Sequence, residues 1–122
     1  MKKRKIFLVD WVIFPFNVMV CLGSTRDEII KELKKYDYTL NEEELERLQM
    51  YGRGRTVMLD NGGTVLWLNY VPKKGSGVLA HEIFHVVHFL LYKIKMDIDR
   101  NNEELPAYMI EYLTNEISKR SK

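Results

Sequence analysis

Between Ser76 and Tyr92 nearly every position is apolar, and from Val78 to Leu91 the strongly polar side chains are His81, Glu82, His85 and His88. Read as a helix, the segment is apolar almost all round, which predicts a helix buried inside a domain rather than lying on one. Ser76 is placed to cap its start, and Lys93 and Lys95 suit the negative end of its dipole, so it is expected to end near Lys95. Another helix is predicted from about Glu103 to Lys119, with Tyr108, Leu113 and Ile117 among its apolar positions. Two shorter helices are expected upstream. Thr25 with Glu28 fits a capping box, and Ile29, Ile30 and Leu33 form an apolar stripe reaching about Tyr36. Asn41 caps a second, whose acids Glu42, Glu43 and Glu44 read as partners of the helix dipole rather than as ligands.

Strand patterns fill the remainder. Residues 6 to 14 are rich in β-branched and aromatic side chains, Pro15 breaks the run, and Asn17 to Leu22 resumes it as a hairpin or a bent strand. Arg55 to Leu59 and Thr64 to Tyr70 flank Asp60-Asn61-Gly62-Gly63, and Asn-Gly between two such runs is a strong hairpin signal. Polar turns are expected at Pro72 to Gly77 and Asp97 to Asn102. The pattern is that of an α+β fold in a single domain, residues 1–122, with no repeat or low-complexity tract.

Composition narrows the classes. With 46% apolar and 30% charged residues the chain is that of an ordinary globular protein. A formal charge of +2 is too near neutral to argue for nucleic acid, and the basic ends Lys2 to Lys5 and Lys119, Arg120 and Lys122 read as solvated termini. The single cysteine, Cys21, fits a reducing compartment or a buried thiol. Asp10, Pro15 and Asn17 interrupt the early apolar run, and Val20 before Cys21 does not suit a lipoprotein site, so the start of the chain is read as structure and not as a secretory signal. No stretch approaches the ~20 apolar residues of a membrane span.

Candidate chemistry sits on the long apolar helix. His81 and His85 are one turn apart on one face, so two imidazoles could close on a single Zn²⁺ at roughly 2.0–2.1 Å each. Glu82 could reach a metal-bound water without being a ligand, which is the His-Glu-x-x-His arrangement of zinc peptidases. The bland alternative is a core helix with hydrogen-bonded histidines. His88 shares the face, but about 10.5 Å of axial rise separates it from His81, so a supporting or core role suits it better. A third ligand must be a carboxylate, and Asp97, Asp99, Glu103, Glu104 and Glu111 lie downstream within reach.

The segment Asn102-Glu103-Glu104-Leu105-Pro106-Ala107-Tyr108 resembles the Glu-x-x-Ala element that carries the third ligand of gluzincin peptidases. The whole chain resembles the very short gluzincin-like peptidases of tailed phages and mobile elements. The shared features are the initial strand with Pro15, the Asn-Gly hairpin, Gly77-Val78-Leu79-Ala80-His81-Glu82-x-x-His85, and Glu104-x-x-Ala107-Tyr108 entering a terminal helix. The resemblance implies a zincin-like core, with a small antiparallel or mixed sheet packed on the motif helix and the C-terminal helix. It implies Zn²⁺ held by His81, His85 and Glu104. Pro106 departs from the pattern: it either delays the helix past Glu104 or occupies its first turn, which keeps Glu103 as an alternative ligand.

The expected activity is peptide-bond hydrolysis. Zinc would lower the pKa of bound water toward ~7 and polarise the scissile carbonyl, with Glu82 shuttling the proton. An extended peptide or protein substrate could add as a strand along residues 64–70. Tyr108 and Tyr112 are candidates to stabilise the oxyanion, and Glu111 to support the site. The competing expectation is a phage structural, assembly or interaction protein that keeps the fold and uses any metal for stability. Small size favours that reading and the intact Glu82 opposes it. Either way the expected setting is the host cytoplasm or the virion, with neither nucleic acid nor membrane as partner.

Overall fold

The computed structural model describes residues 5–12, 14–73, 76–99 and 101–121. The basic residues Lys2, Lys3, Arg4 and Lys122 lie outside them. Among the described residues the order is β1 (Lys5–Asp10), β2 (Asn17–Leu22), α1 (Arg26–Lys35), α2 (Glu42–Arg47), β3 (Gly54–Met58), β4 (Thr64–Leu68), α3 (Gly77–Lys93) and α4 (Glu104–Arg120). The fold is α+β, with a four-stranded mixed sheet in the order β1-β2-β4-β3. β1–β2 and β3–β4 are antiparallel hairpins, joined by parallel pairing of β2 with β4.

Two local signals set the helices on one side. Thr25 and Asn41 each close a full capping box, with Glu28 and Glu44 as the reciprocal partners. Arg26 ties the helices together by donating to the carbonyls of Leu45 and Leu48, both at 2.8 Å. In the β3–β4 turn Gly62 adopts a φ of +91°, and any Cβ there would strike the Phe16 ring, so only glycine fits.

Strand alternation divides the core between two faces. Val18, Val20, Leu22, Leu66 and Leu68 pack against Ile83, Val86, Val87, Leu90 and Leu91 of α3 and Met109, Leu113 and Ile117 of α4. Met19, Cys21, Val57, Val65 and Trp67 pack against Ile29 and Leu33 of α1 and against Leu40 and Leu48. The sheet is therefore the middle layer, with α3 over β3 and β4 and α4 over β1 at the opposite edge. Cys21 is fully buried, which pushes its thiol pKa well up, with the nearby Glu32 adding to the effect.

The structure departs from two sequence expectations. α3 is not buried all round, because only the face carrying Glu82, Ile83, Val86, Val87, Leu90 and Leu91 is covered, while Phe84 is 50% and Tyr92 64% exposed. β4 is an interior strand, hydrogen-bonded on one side to β2 and on the other to β3. Its backbone has no open edge, so a substrate strand cannot add along residues 64–68. All five β4 residues are buried, the signature of a strand covered on both faces and both edges. No helix among the described residues is long and apolar enough to cross a membrane.

Candidate active site

The open edge near the histidines belongs to β3. Asn69 N–H donates to the Arg53 carbonyl at 3.1 Å and Leu59 N–H to that of Gly63 at 2.8 Å. Antiparallel pairs alternate between bonded and non-bonded, so with this register the bonded pairs of β3 fall at Arg55 and Val57. The N–H and C=O groups of Gly54, Thr56 and Met58 therefore point away from the sheet. The same three residues direct their side-chain positions toward α3.

There, in the first half of α3, His81, Glu82 and His85 converge with β3 on a cleft of about 460 Å³, lined also by Arg47, Gly54, Arg55, Thr56, Met58 and Phe89. Ser76 caps this end of the helix, its hydroxyl accepting from Leu79 N–H at 3.3 Å. The Nε2 atoms of His81 and His85 are 3.1 Å apart. Two metal–nitrogen bonds of roughly 2.0–2.1 Å would span that separation at an angle of about 95–102°, close to the tetrahedral ~109°. The same separation also serves an N–H···N hydrogen bond when one ring is the donor.

Glu82 is 5% exposed, on the buried face of α3 directly beneath β3. Burying a carboxylate is costly without partners. The Thr56 hydroxyl supplies one, donating to Glu82 Oε1 at 2.6 Å, while Oε2 is turned toward the histidines, 4.0 Å from His81 Nε2. Gly54 supplies the space: a Cβ there would lie 2.9 Å from Glu82 Cγ, 3.0 Å from Oε2 and 3.0 Å from Leu68 Cδ2. The sequence does not single out Thr56 or Gly54: Thr56 falls inside the strand expected over Arg55 to Leu59, and Gly54 lies just before it.

The other sequence candidates lie elsewhere. Glu104 is exposed in the first turn of α4, next to an exposed Glu103, and neither lines the cleft. The helix begins at Glu104 and Pro106 occupies its first turn, the second of the two alternatives that proline allowed. Among the described residues no group of three or more His, Cys, Asp or Glu is assembled that could hold a metal. Two of the three expected donors thus fit a shared ion, and the acidic one is not brought to them. Glu111 is exposed on α4, outside the cleft lining. His88 is exposed and stacks on Phe84 at 6.1 Å, which corrects the expectation of a core role. Tyr112 donates to the Asp10 carbonyl at 2.6 Å and packs on Trp11, and Tyr108 is exposed, so neither oxyanion candidate faces the cleft.

Compared with protein-family models, curated proteins and solved structures, the chain matches none.

Proposed function

We propose that the chain is a zinc-dependent metallopeptidase with a zincin-like core, of the minimal gluzincin type carried by phages and mobile elements. The observation that carries this reading is the convergence of two imidazole nitrogens 3.1 Å apart with a buried carboxylate whose free oxygen faces them, at an open strand edge. His81 and His85 would hold the ion, and zinc when bound would polarise a scissile carbonyl and acidify water. Glu82 Oε2 is the base that would take a proton from attacking water and return it to the leaving amine. Thr56 keeps Oε1 occupied, so that one oxygen alone is free for that work. The outward backbone groups of Gly54 and Thr56 and the Met58 N–H would pair with an extended peptide, the Met58 carbonyl already accepting from Arg47 Nη2, and this moves the expected strand addition from β4 to β3. Glu104 as third ligand requires the start of α4 to come to the cleft.

That requirement is also what favours the alternative, a phage structural, assembly or interaction protein with a structural or vestigial metal site. Metal analysis and cleavage of a broad peptide library by wild type and Glu82→Gln separate the two. Peptidase function predicts one zinc per chain in both proteins, and cleavage that falls by about 10²–10⁴ in Glu82→Gln. Stoichiometric zinc with no cleavage by wild type sinks the hydrolytic reading.

A further inference from the structure

The cleft carries charge that the histidines and Glu82 do not use. Arg47, at the end of α2, and Arg55, on β3, both line it. Arg55 Nε donates to the Arg47 carbonyl at 3.0 Å, and its guanidinium lies 5.8 Å from the Tyr51 ring. That anchor uses one edge of the fork and leaves the terminal nitrogens for another acceptor. Arg47 Nη2 lies 3.4 Å from the Met58 carbonyl, which places its guanidinium at the open edge of β3. Its nearest carboxylate, Asp60, is 3.8 Å away with both side chains substantially exposed, a pairing that neutralises little, and the charge of Arg47 also reaches the buried Glu44. Among the described residues that line the cleft, Glu82 is the one carboxylate, and it is turned to the histidines.

Strand geometry separates these charges from the reacting centre. Along β3, Gly54 and Thr56 face α3, whereas Arg55 faces the side of α2. A peptide strand added at this edge would direct alternate side chains to the two sides. One set would meet His81 and His85, and the other would meet two guanidinium groups. We propose that Arg47 and Arg55 form an anion-recognising subsite that selects peptide segments with Asp or Glu on the side of the bound strand turned toward α2. The inference rests on the reading of the β3 edge as a peptide-binding cleft and adds the class of substrate.

The test uses the full chain carrying Glu82→Gln in zinc-containing buffer. Short fluorescent peptides place a single Asp, Asn or Lys at successive positions of one uncharged host, and binding is read by anisotropy. In at least one register the Asp peptide should bind about tenfold tighter than its Asn twin, with Lys weakest. The gap should narrow as salt rises from about 0.05 to 0.5 M. Arg47→Gln and Arg55→Gln should each remove most of the difference between the Asp and Asn peptides, and Arg55→Lys should retain part. Equal binding of Asp and Asn peptides at every position, no peptide binding at all, or a preference indifferent to both arginines would overturn the proposal. Cleavage by the Glu82-intact chain answers the separate question of activity. An acidic preference in binding without cleavage supports the subsite and defeats hydrolysis, while cleavage with no acidic preference does the reverse.

Discussion

Thr56 Oγ1 lies 2.6 Å from Glu82 Oε1, joining the edge strand to the buried acid of the histidine helix. A hydrogen bond to a buried charged group contributes about 1.5–3 kcal/mol, so its loss frees the carboxylate to rotate as well as leaving it under-solvated. Thr56→Val should therefore reduce kcat by about 10- to 100-fold on any cleaved peptide, the rate equivalent of that energy. KM and zinc content should stay near wild type, because the Thr56 side chain is neither a ligand nor a substrate contact in this scheme and the backbone that would pair with the peptide is unchanged. Thr56→Ser keeps the hydroxyl and should restore most of the rate. A Ser variant as impaired as Val would show that the methyl group, not the hydrogen bond, is what matters.

Gly54 stands against the same carboxylate from the other side. Overpacking of this kind costs about 1–3 kcal/mol, and Gly54→Ala should lower unfolding stability by that amount in denaturant titrations. Two of the three atoms that the new Cβ would meet belong to Glu82. In a Glu82→Ala background the penalty should accordingly shrink, leaving the Leu68 contact alone. An equal penalty in both backgrounds would show that the glycine serves the backbone rather than the acid.

What was legible in the sequence was local. The capping box at Thr25, the Asn41 cap, the Asn-Gly turn and the Ser76 cap each depend on residues within a few positions of one another, and each formed where its spacing indicated, Asn41 adding a reciprocal bond with Glu44 that the sequence reading does not include. The histidine pair is likewise a one-turn relationship and could be read directly. Pairing of β2 with β4 spans more than forty residues and has no local signature, so the sequence alone does not show that β3, not β4, is the edge strand. The residues themselves held a hint. β4 is apolar at four of its five positions, whereas β3 carries Gly54, Arg55 and Thr56, the polar and small residues of an exposed edge. Glu44 looked like one of three dipole acids, because nothing nearby announced the turn it would meet.

Metal uptake should divide the three histidines. His81→Ala and His85→Ala should each reduce zinc binding by several orders of magnitude in a competitive chelator titration, since each removes one of two converging nitrogens. His88→Ala should bind as wild type, its ring being stacked on Phe84 away from the cleft. Glu104→Gln decides the third position: weakened zinc binding means that α4 closes on the ion, and unchanged binding removes Glu104 from the ligand set. Equal losses for all three histidine variants would point to a destabilised helix instead of a site.

A second buried acid should make the stability of the fold depend on pH. Glu44 is 1% exposed and accepts from the Tyr38 hydroxyl at 2.5 Å, from Asn41 N–H at 2.9 Å and from Asp60 N–H at 2.9 Å, linking α2 to the β3–β4 turn. Burial alone would raise its pKa, but these donors and the charge of Arg47 outweigh burial and hold it below the ordinary 4.5. Tyr38 moves the other way, pushed up to about 12 by burial and by its bond to the Glu44 carboxylate. A lowered acid pKa gives stability that is complete above about 4.5 and lost as pH falls through the folded value. A raised phenol pKa gives stability that is complete below about 10 and lost as pH rises toward 12. Wild type should thus exceed Tyr38→Phe in stability across the plateau between those limits, by about 1.5–3 kcal/mol for a hydrogen bond to a charged group. The margin should close at both ends in urea titrations run from acid to alkaline pH. Glu44→Gln should lose the acid-side dependence and keep only a weakened Tyr38 contact. A margin that persists unchanged from acid to alkali would mean that the pair packs as neutral groups and that its charge plays no part.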